Sequence, residues 1–424
     1  MARKEVLFVT EASGLVQNIQ ALDKFENQIC VFKGGSSGSH SLCFVGDTYV
    51  LSAEKNKPLI QVWSLNRVSQ QTIRIVTPAP VLSLAVDPSG SFCAGSCGEK
   101  ILIWQLSTGH LVKTVTRHYQ DVTTLKFSDC GGFLLSGGGE GAVNVWLLSD
   151  LVDQIGGNQV PEPHFSFAHH AVAVADIWIG FGGSRSRFAS CSGDQTCNLY
   201  DLTSGTLLLK LIFDVGLKCV TSDIIESSLF LGSVDGRIFQ VNLHPPPRVV
   251  ECHITSESEE LKKKTFFGHT GPITCLTVSR DGTLIASGST DNSVILWDIS
   301  SKNRLRTFLQ KGAITNLKFR LMSRNMERDT LKQSHVIASF KRQYEDNPCN
   351  IAEVVMASKM IEENVTLDDV RETPGNPSVP ELQNEIDELK AEKEMLYQIC
   401  VKEVLNKCNS DAKKHQKKKK KKSP

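Results

Sequence analysis

Three stretches of the chain carry residue types that could do hydrolytic chemistry. His118, Ser136 and Glu140 form one set, followed by Trp146. His169 or His170, Ser190 and Asp194 form a second, followed by Tyr200. His269, Ser287 and Asp291 form a third, followed by Trp297. A histidine, a hydroxyl and a carboxylate are the parts of an acyl-transfer triad. One active site does not need three copies, however. The same residue types also suit a polar chain buried in a folded unit, where every member must find a partner. Recurrence therefore points to structural bracing. No Gly-x-x-x-x-Gly-Lys-Ser/Thr, Gly-x-Ser-x-Gly or His-Glu-x-x-His motif occurs. Gly137-Gly138-Gly139-Glu140-Gly141 is only a loose match to a nucleotide loop and reads as a turn between strands. The 13 cysteines are scattered, with no Cys-x-x-Cys and no zinc-ligand spacing. No catalytic residue, cofactor or metal site is expected.

The elements that position these sets are clearest between Gly268 and Ile299. Ile273 to Val278, Leu284 to Gly288 and Val294 to Trp297 read as strands. Asp281-Gly282 and Asp291-Asn292 fall between them, where tight turns require residues that tolerate left-handed backbone angles. The unit opens on Gly-His and closes on Trp-Asp. It resembles a WD40 repeat, a family in which His, Ser or Thr, Asp and Trp form a hydrogen-bonded chain across one propeller blade. Such a unit cannot bury both faces alone, so more copies are expected. Comparable third-strand anchors are Trp63, Trp104, Trp146, Tyr200, Val241 and Trp297, spaced by 41, 42, 54, 41 and 56 residues. A blade repeats every ~40–45 residues. The two long steps contain the insertions Asp150 to His164 and His244 to Lys264, which are candidate partner loops.

Incomplete units remain at both ends. Val6 to Thr10, Leu15 to Leu22 and Ile29 to Phe32 look like strands near the start. Ala313 to Phe319 and His335 to Phe340 look like strands near the end. Joined, they would close the ring and remove its exposed edges. The expectation is an all-β fold, a seven-bladed WD40 β-propeller over residues 1–342, with a C-terminal α-helical coiled-coil extension. Eight blades result if the first segment stands alone.

At 424 residues and 40% hydrophobic content the chain can bury a large core. No leader-like start and no membrane-length apolar run is seen: Ala171 to Phe181 is short and interrupted by Asp176. A soluble intracellular protein with reduced thiols is expected. Net charge is +1 but segregated. Residues 343–412 hold 16 acids against 6 bases, and residues 413–424 hold eight lysines and no acid. Residues 343–379 read as an acidic, partly disordered linker. Residues 380–408 read as a helix opened by Pro380, with a seam of Leu382, Ile386, Leu389, Leu396 and Cys400 interrupted by Lys393. That seam suits a homodimer, or packing on the chain's own propeller. Residues 409–424 read as a disordered tail. Its Lys413, Lys414, Lys417, Lys418, Lys419, Lys420, Lys421 and Lys422 suit nuclear targeting, or non-specific RNA contact through phosphates.

Several stretches narrow the resemblance. They are Arg117-His118-Tyr119-Gln120-Asp121-Val122, Leu208 to Val215, Gly236 to Leu243, and the first segment ending Phe32-Lys33-Gly34-Gly35. With the C-terminal helix they resemble the WD repeat-containing protein 18 family over nearly the whole chain. The lysine tip is a departure. The resemblance implies a non-catalytic scaffold subunit of a nuclear complex, in nucleolus and nucleoplasm, that matures the large (60S) ribosomal subunit and supports processing of internal transcribed spacer 2. Implied partners are a helical-repeat scaffold protein, the pre-60S particle with the midasin ATPase, a SUMO protease and a second copy through the C-terminal helix. An alternative is a cullin–RING substrate receptor, but the Trp-Asp-x-Arg of such receptors is absent after Trp63 and Trp297. A chromatin or replication adaptor is a third reading.

Overall fold

Short strands separated by Gly, Asp and Asn turns dictate hairpins, and hairpins of this length must stack to bury both faces. The computed structural model describes residues 4–13, 19–23, 28–32, 34–65, 72–152, 161–244, 249–254, 264–327 and 335–341. They form a β-propeller with very little helix. The sheet around Trp297 shows the local logic. Ile273–Val278, Leu284–Ser289, Ser293–Asp298 and Arg304–Leu309 pair antiparallel in chain order. Gly282 and Asn292 both take positive φ at the expected turns, 67° and 63°.

The expectation of a seven-bladed propeller needs correction, because only six of its sheets are plain four-stranded blades. The sheet around Tyr200 has five strands. Its extra strand, Glu251–Ile254, comes from the second insertion and pairs in parallel with Leu207–Phe213. The chain then returns to its own sheet as Thr265–Phe266, beside Ile238–Asn242. The added strand covers an edge that would otherwise present unpaired backbone groups. The sequence reading treated this insertion only as a loop.

The two chain ends share one sheet, ordered Ile314–Leu321, Glu5–Glu11, Ile19–Asp23 and Gln28–Phe32. Leu7 lies opposite Phe319 and Val9 opposite Leu317. Polar groups brace the seam. Thr10 and Thr315 hydroxyls are 2.7 Å apart, and the Asn316 amide donates to Thr10 Oγ1 and to the Gly38 carbonyl.

His335 to Phe340 is not a strand of that sheet. It lies in extended form against the Trp104 sheet, where the Ala338 amide donates to the Leu106 carbonyl and the Lys341 amide to the Gly109 carbonyl. Phe340 stacks on Trp104 with ring centroids 4.9 Å apart. The cause lies in Gly95. At the place where two other blades put Ser136 and Ser287, this blade has glycine, and a Cβ there would meet Trp104 Cζ3 at 2.9 Å. With no hydroxyl available, the Trp104 indole N–H donates to the Lys341 carbonyl, 3.1 Å away.

The cores lie between neighbouring sheets. One cluster joins Cys219, Phe230, Ile238 and Phe266 of one blade to Ile273, Ile285, Ile295 and Trp297 of the next. No helix among the described residues is long and apolar enough to cross a membrane.

Candidate interaction surfaces

The three polar sets come together as hydrogen-bonded chains, each joining three strands or turns of one sheet. His269 contacts Asp291 through Nδ1 at 3.0 Å and Ser287 through Nε2 at 2.7 Å, and the Trp297 indole donates to Ser287 Oγ at 2.8 Å. His118 contacts Glu140 through Nδ1 and Ser136 through Nε2 at 2.7 Å, and Trp146 donates to Ser136 at 2.9 Å. In the Tyr200 sheet the choice between the adjacent histidines resolves to His170. It contacts Asp194 at 3.2 Å and Ser190 at 2.7 Å. His169 instead stacks against Tyr200, with Nδ1 3.1 Å from the phenol oxygen. Sequence reading missed Asn144 and Asn198, which approach the histidine Nε2 atoms at 3.3 and 3.4 Å.

Electrostatics fit buried polar links. Burial lowers the pKa of His269 and of His170, outweighing their carboxylate partners. Burial alone would raise the Asp291 carboxyl, but hydrogen bonds from Ser293, Thr270 and His269 bring it down to about 2. Asp194 is lowered in the same way against burial, by Thr196 and the Ala171 amide. Each serine hydroxyl sits between a ring nitrogen and an indole or phenol of its own blade, inside the sheet. All three are fully buried, which leaves a substrate carbonyl no approach.

Surface character comes from the turns. The innermost strands of successive sheets are neighbours, and each, apart from Ile314–Leu321, returns through a hairpin to the second strand of its sheet. All such hairpins therefore lie on one face. That face presents Phe181, 59% exposed, and Ile225, 82% exposed. The opposite face carries the Gly-His corners and presents Tyr119, 85% exposed, with Val172. Large exposed apolar side chains on rigid turns are the raw material of protein interfaces. Of the two insertions, Leu148–Val152 is helical and Glu251–Ile254 is the added strand, flanked by exposed Val249 and Val250. Nine described cysteines (Cys43, Cys93, Cys97, Cys130, Cys191, Cys197, Cys219, Cys252 and Cys275) are free. Burial pushes the thiols of Cys197 and Cys275 up to about 12, so they stay protonated at neutral pH.

Asp176, read from sequence only as an interruption, is a buried hub. It accepts from the Ile177 amide at 2.9 Å and from the Val220 amide of the next sheet at 3.3 Å. His40 lies 3.5 Å away and Lys126 3.9 Å. A charged residue in the middle of an apolar strand was the available signal. The linker, the helix seam from Leu382 to Cys400 and the lysines from Lys413 to Lys422 lie outside the described residues.

Comparison with known proteins agrees with this architecture. The WD domain, G-beta repeat model matches residues 109–146 and 261–298, which contain the Trp146 and Trp297 anchors. WD repeat-containing protein 18 of Danio rerio is 36% identical over 313 residues, 74% of this chain and 72% of that protein. The Homo sapiens protein of the same name is 38% identical over 288 residues, 68% of this chain and 66% of its own length. Pre-rRNA-processing protein pro-1 of Caenorhabditis briggsae is 29% identical over 68% of this chain and 54% of that protein. Among solved structures, the WD40 β-propeller domain of Doa1 matches with a TM-score of 0.52 at 17% identity, covering 66% of this chain and 86% of that one. The chain belongs to the WD repeat-containing protein 18 family of WD40 proteins.

Proposed function

We propose that this chain is a non-catalytic scaffold subunit in the maturation of the large ribosomal subunit, acting in processing of internal transcribed spacer 2. The observation that carries the reading is the family membership, together with similarity to a protein named for pre-rRNA processing. The geometry supports it. Among the described residues the His, Ser and acid sets are buried bracing, repeated in three blades, and apolar turns are exposed on two faces. In this reading the five-stranded sheet is a blade with an added strand, so the ring has seven. The propeller docks a helical-repeat scaffold protein. The C-terminal helix supplies self-association, which gains strength from the effective concentration that the propeller contact provides. Pre-60S particles, the midasin ATPase and a SUMO protease are reached through that assembly. The lysine tail directs the chain to the nucleus and adds weak, salt-dependent phosphate contact.

Affinity purification from nuclear extract tests this. Recovery of a helical-repeat protein with pre-60S factors is expected. Recovery of a cullin adaptor without ribosomal precursors would overturn it.

A further inference from the structure

The outermost strand of each sheet turns an edge to the rim of the ring, and these edges are treated differently. Leu207–Phe213 has Glu251–Ile254 paired along it, and Lys210 Nζ lies 3.1 Å from the Glu251 carboxylate. Leu111–Val115 has the helix Leu148–Val152 against it. Arg304–Leu309 ends its sheet, with no further strand beyond it among the described residues. An edge of this kind is a template for another chain.

The local geometry leaves this edge able to pair. The Gln310 amide donates inward, to the Asn292 carbonyl at 2.8 Å. Amide directions alternate along an antiparallel ladder, so those of Leu309 and Thr307 point outward. One face of the strand is closed by Phe308, which packs with Leu7, Val9 and Leu296. The other face carries Arg304, Thr307 and Leu309, opposite Trp297, Ile295 and Ser293. It turns toward the sheet of Phe266, whose outermost strand spans two residues. Beside so short a neighbour, Leu309 is 81% exposed, and Leu305, at a bulge in the ladder, is 53% exposed.

The charges are of one sign. From Ile299 to Gly312 the chain holds Lys302, Arg304, Arg306 and Lys311 and no acid. Arg304 and Lys311 are exposed. Cations alone would be an ordinary guard against edge pairing. Exposed leucines on the same strand work against such a guard and suit a partner that brings both acids and apolar side chains. A second copy of this edge would set arginine against arginine. An RNA would meet the cations but leave the leucines in water.

We propose that Arg304–Leu309 receives an extended acidic segment of a partner protein as a fifth strand, with carboxylates against Arg304 and Lys311 and an apolar side chain over Leu309. The chain itself holds the arrangement once already: Leu207–Phe213 takes a further strand, and a lysine meets a glutamate across the pair. Backbone hydrogen bonds would supply the affinity and alternating side chains the selectivity. This goes beyond the scaffold role and does not depend on it.

The test uses the full chain and a labelled peptide of alternating glutamate and valine, read by fluorescence anisotropy and by amide hydrogen exchange. Expected are saturable binding and slower exchange in residues 304–309. Affinity should fall at least tenfold in Arg304→Glu, where like charges then meet. Thr307→Pro removes an outward N–H without changing charge, at a position where an edge strand tolerates proline, and should weaken binding as much. The lysine tail is the same in all three proteins, so their differences isolate the edge. Unchanged exchange in residues 304–309, or wild-type affinity in either folded variant, would overturn the proposal. So would equal slowing of those amides by oligouridylate, or by raising the protein concentration without peptide. Should one variant fail to fold, the other is read by the same criterion.

Discussion

At the residue scale the recurring His, Ser and acid act through hydrogen bonds centred on buried histidine and serine side chains. Ser287 accepts from Trp297 and partners His269, so Ser287→Ala leaves two buried polar groups unsatisfied. A loss of about 2–4 kcal/mol in denaturant unfolding is expected, taking about 1–3 kcal/mol for each orphaned group less partial relaxation. The pH dependence has a definite sign. His269 and His170 have lowered folded pKa values, so the unfolded chain binds protons first as pH falls below about 6.5. Asp291 is held at about 2, so its contribution is present above the unfolded carboxylate range and fades as pH falls toward 2. Both effects reduce stability in acid. Midpoints of urea unfolding should therefore drop from pH 7 to pH 5 and again below pH 4; Ser287→Ala combined with His269→Gln should flatten the first drop. These residues were legible in the sequence because they recur with strand and turn signals around them. The partners of Asp176 were not, since it occurs once and Val220, His40 and Lys126 come from distant strands.

At the element scale, legibility followed local pattern. Strands flanked by turn pairs and ending on Trp were readable, because the turn residues fix φ and the Trp fixes which strand it is. His335 to Phe340 also has a strand-like composition, and nothing local separates a strand from an extended strap. What decides is Gly95, over 200 residues earlier, which leaves the Trp104 indole without a serine and lets its ring pack directly on the glycine. Phe340 is buried against that indole. Phe340→Ala is expected to destabilise the propeller by about 3 kcal/mol, the lower end for removing a buried Phe ring. It should also shift Trp104 fluorescence to the red, whereas an unchanged spectrum and midpoint would mean the strap does not dock. The strand Glu251–Ile254 was hidden for a related reason. It follows Pro245-Pro246-Pro247, pairs in parallel, and belongs to a sheet other than the one whose strands flank it in sequence. Replacing residues 249–254 by a Gly-Ser linker should leave the fold intact by circular dichroism but increase self-association, because the edge of Leu207–Phe213 is uncovered.

At the scale of the whole molecule, the ring is held shut by its ends. Glu5–Glu11 sits between Ile314–Leu321 and Ile19–Asp23. Glu11 accepts from the amides of Lys311 and Gly312, and Glu5 from that of Arg280. Removing the first 11 residues should abolish cooperative thermal unfolding rather than trim a tail, since the inner strand 314–321 loses its partner. A closed ring with apolar turns on both faces and bracing inside its blades is built to hold other molecules in fixed relation. The scaffold role in large-subunit maturation that we propose draws on that design and on the family. Its most direct measurement is hybridisation of total RNA with a probe to internal transcribed spacer 2 after the chain is depleted. Spacer-containing precursors should accumulate while small-subunit rRNA is unchanged. Normal spacer 2 processing in fully depleted cells would contradict the role.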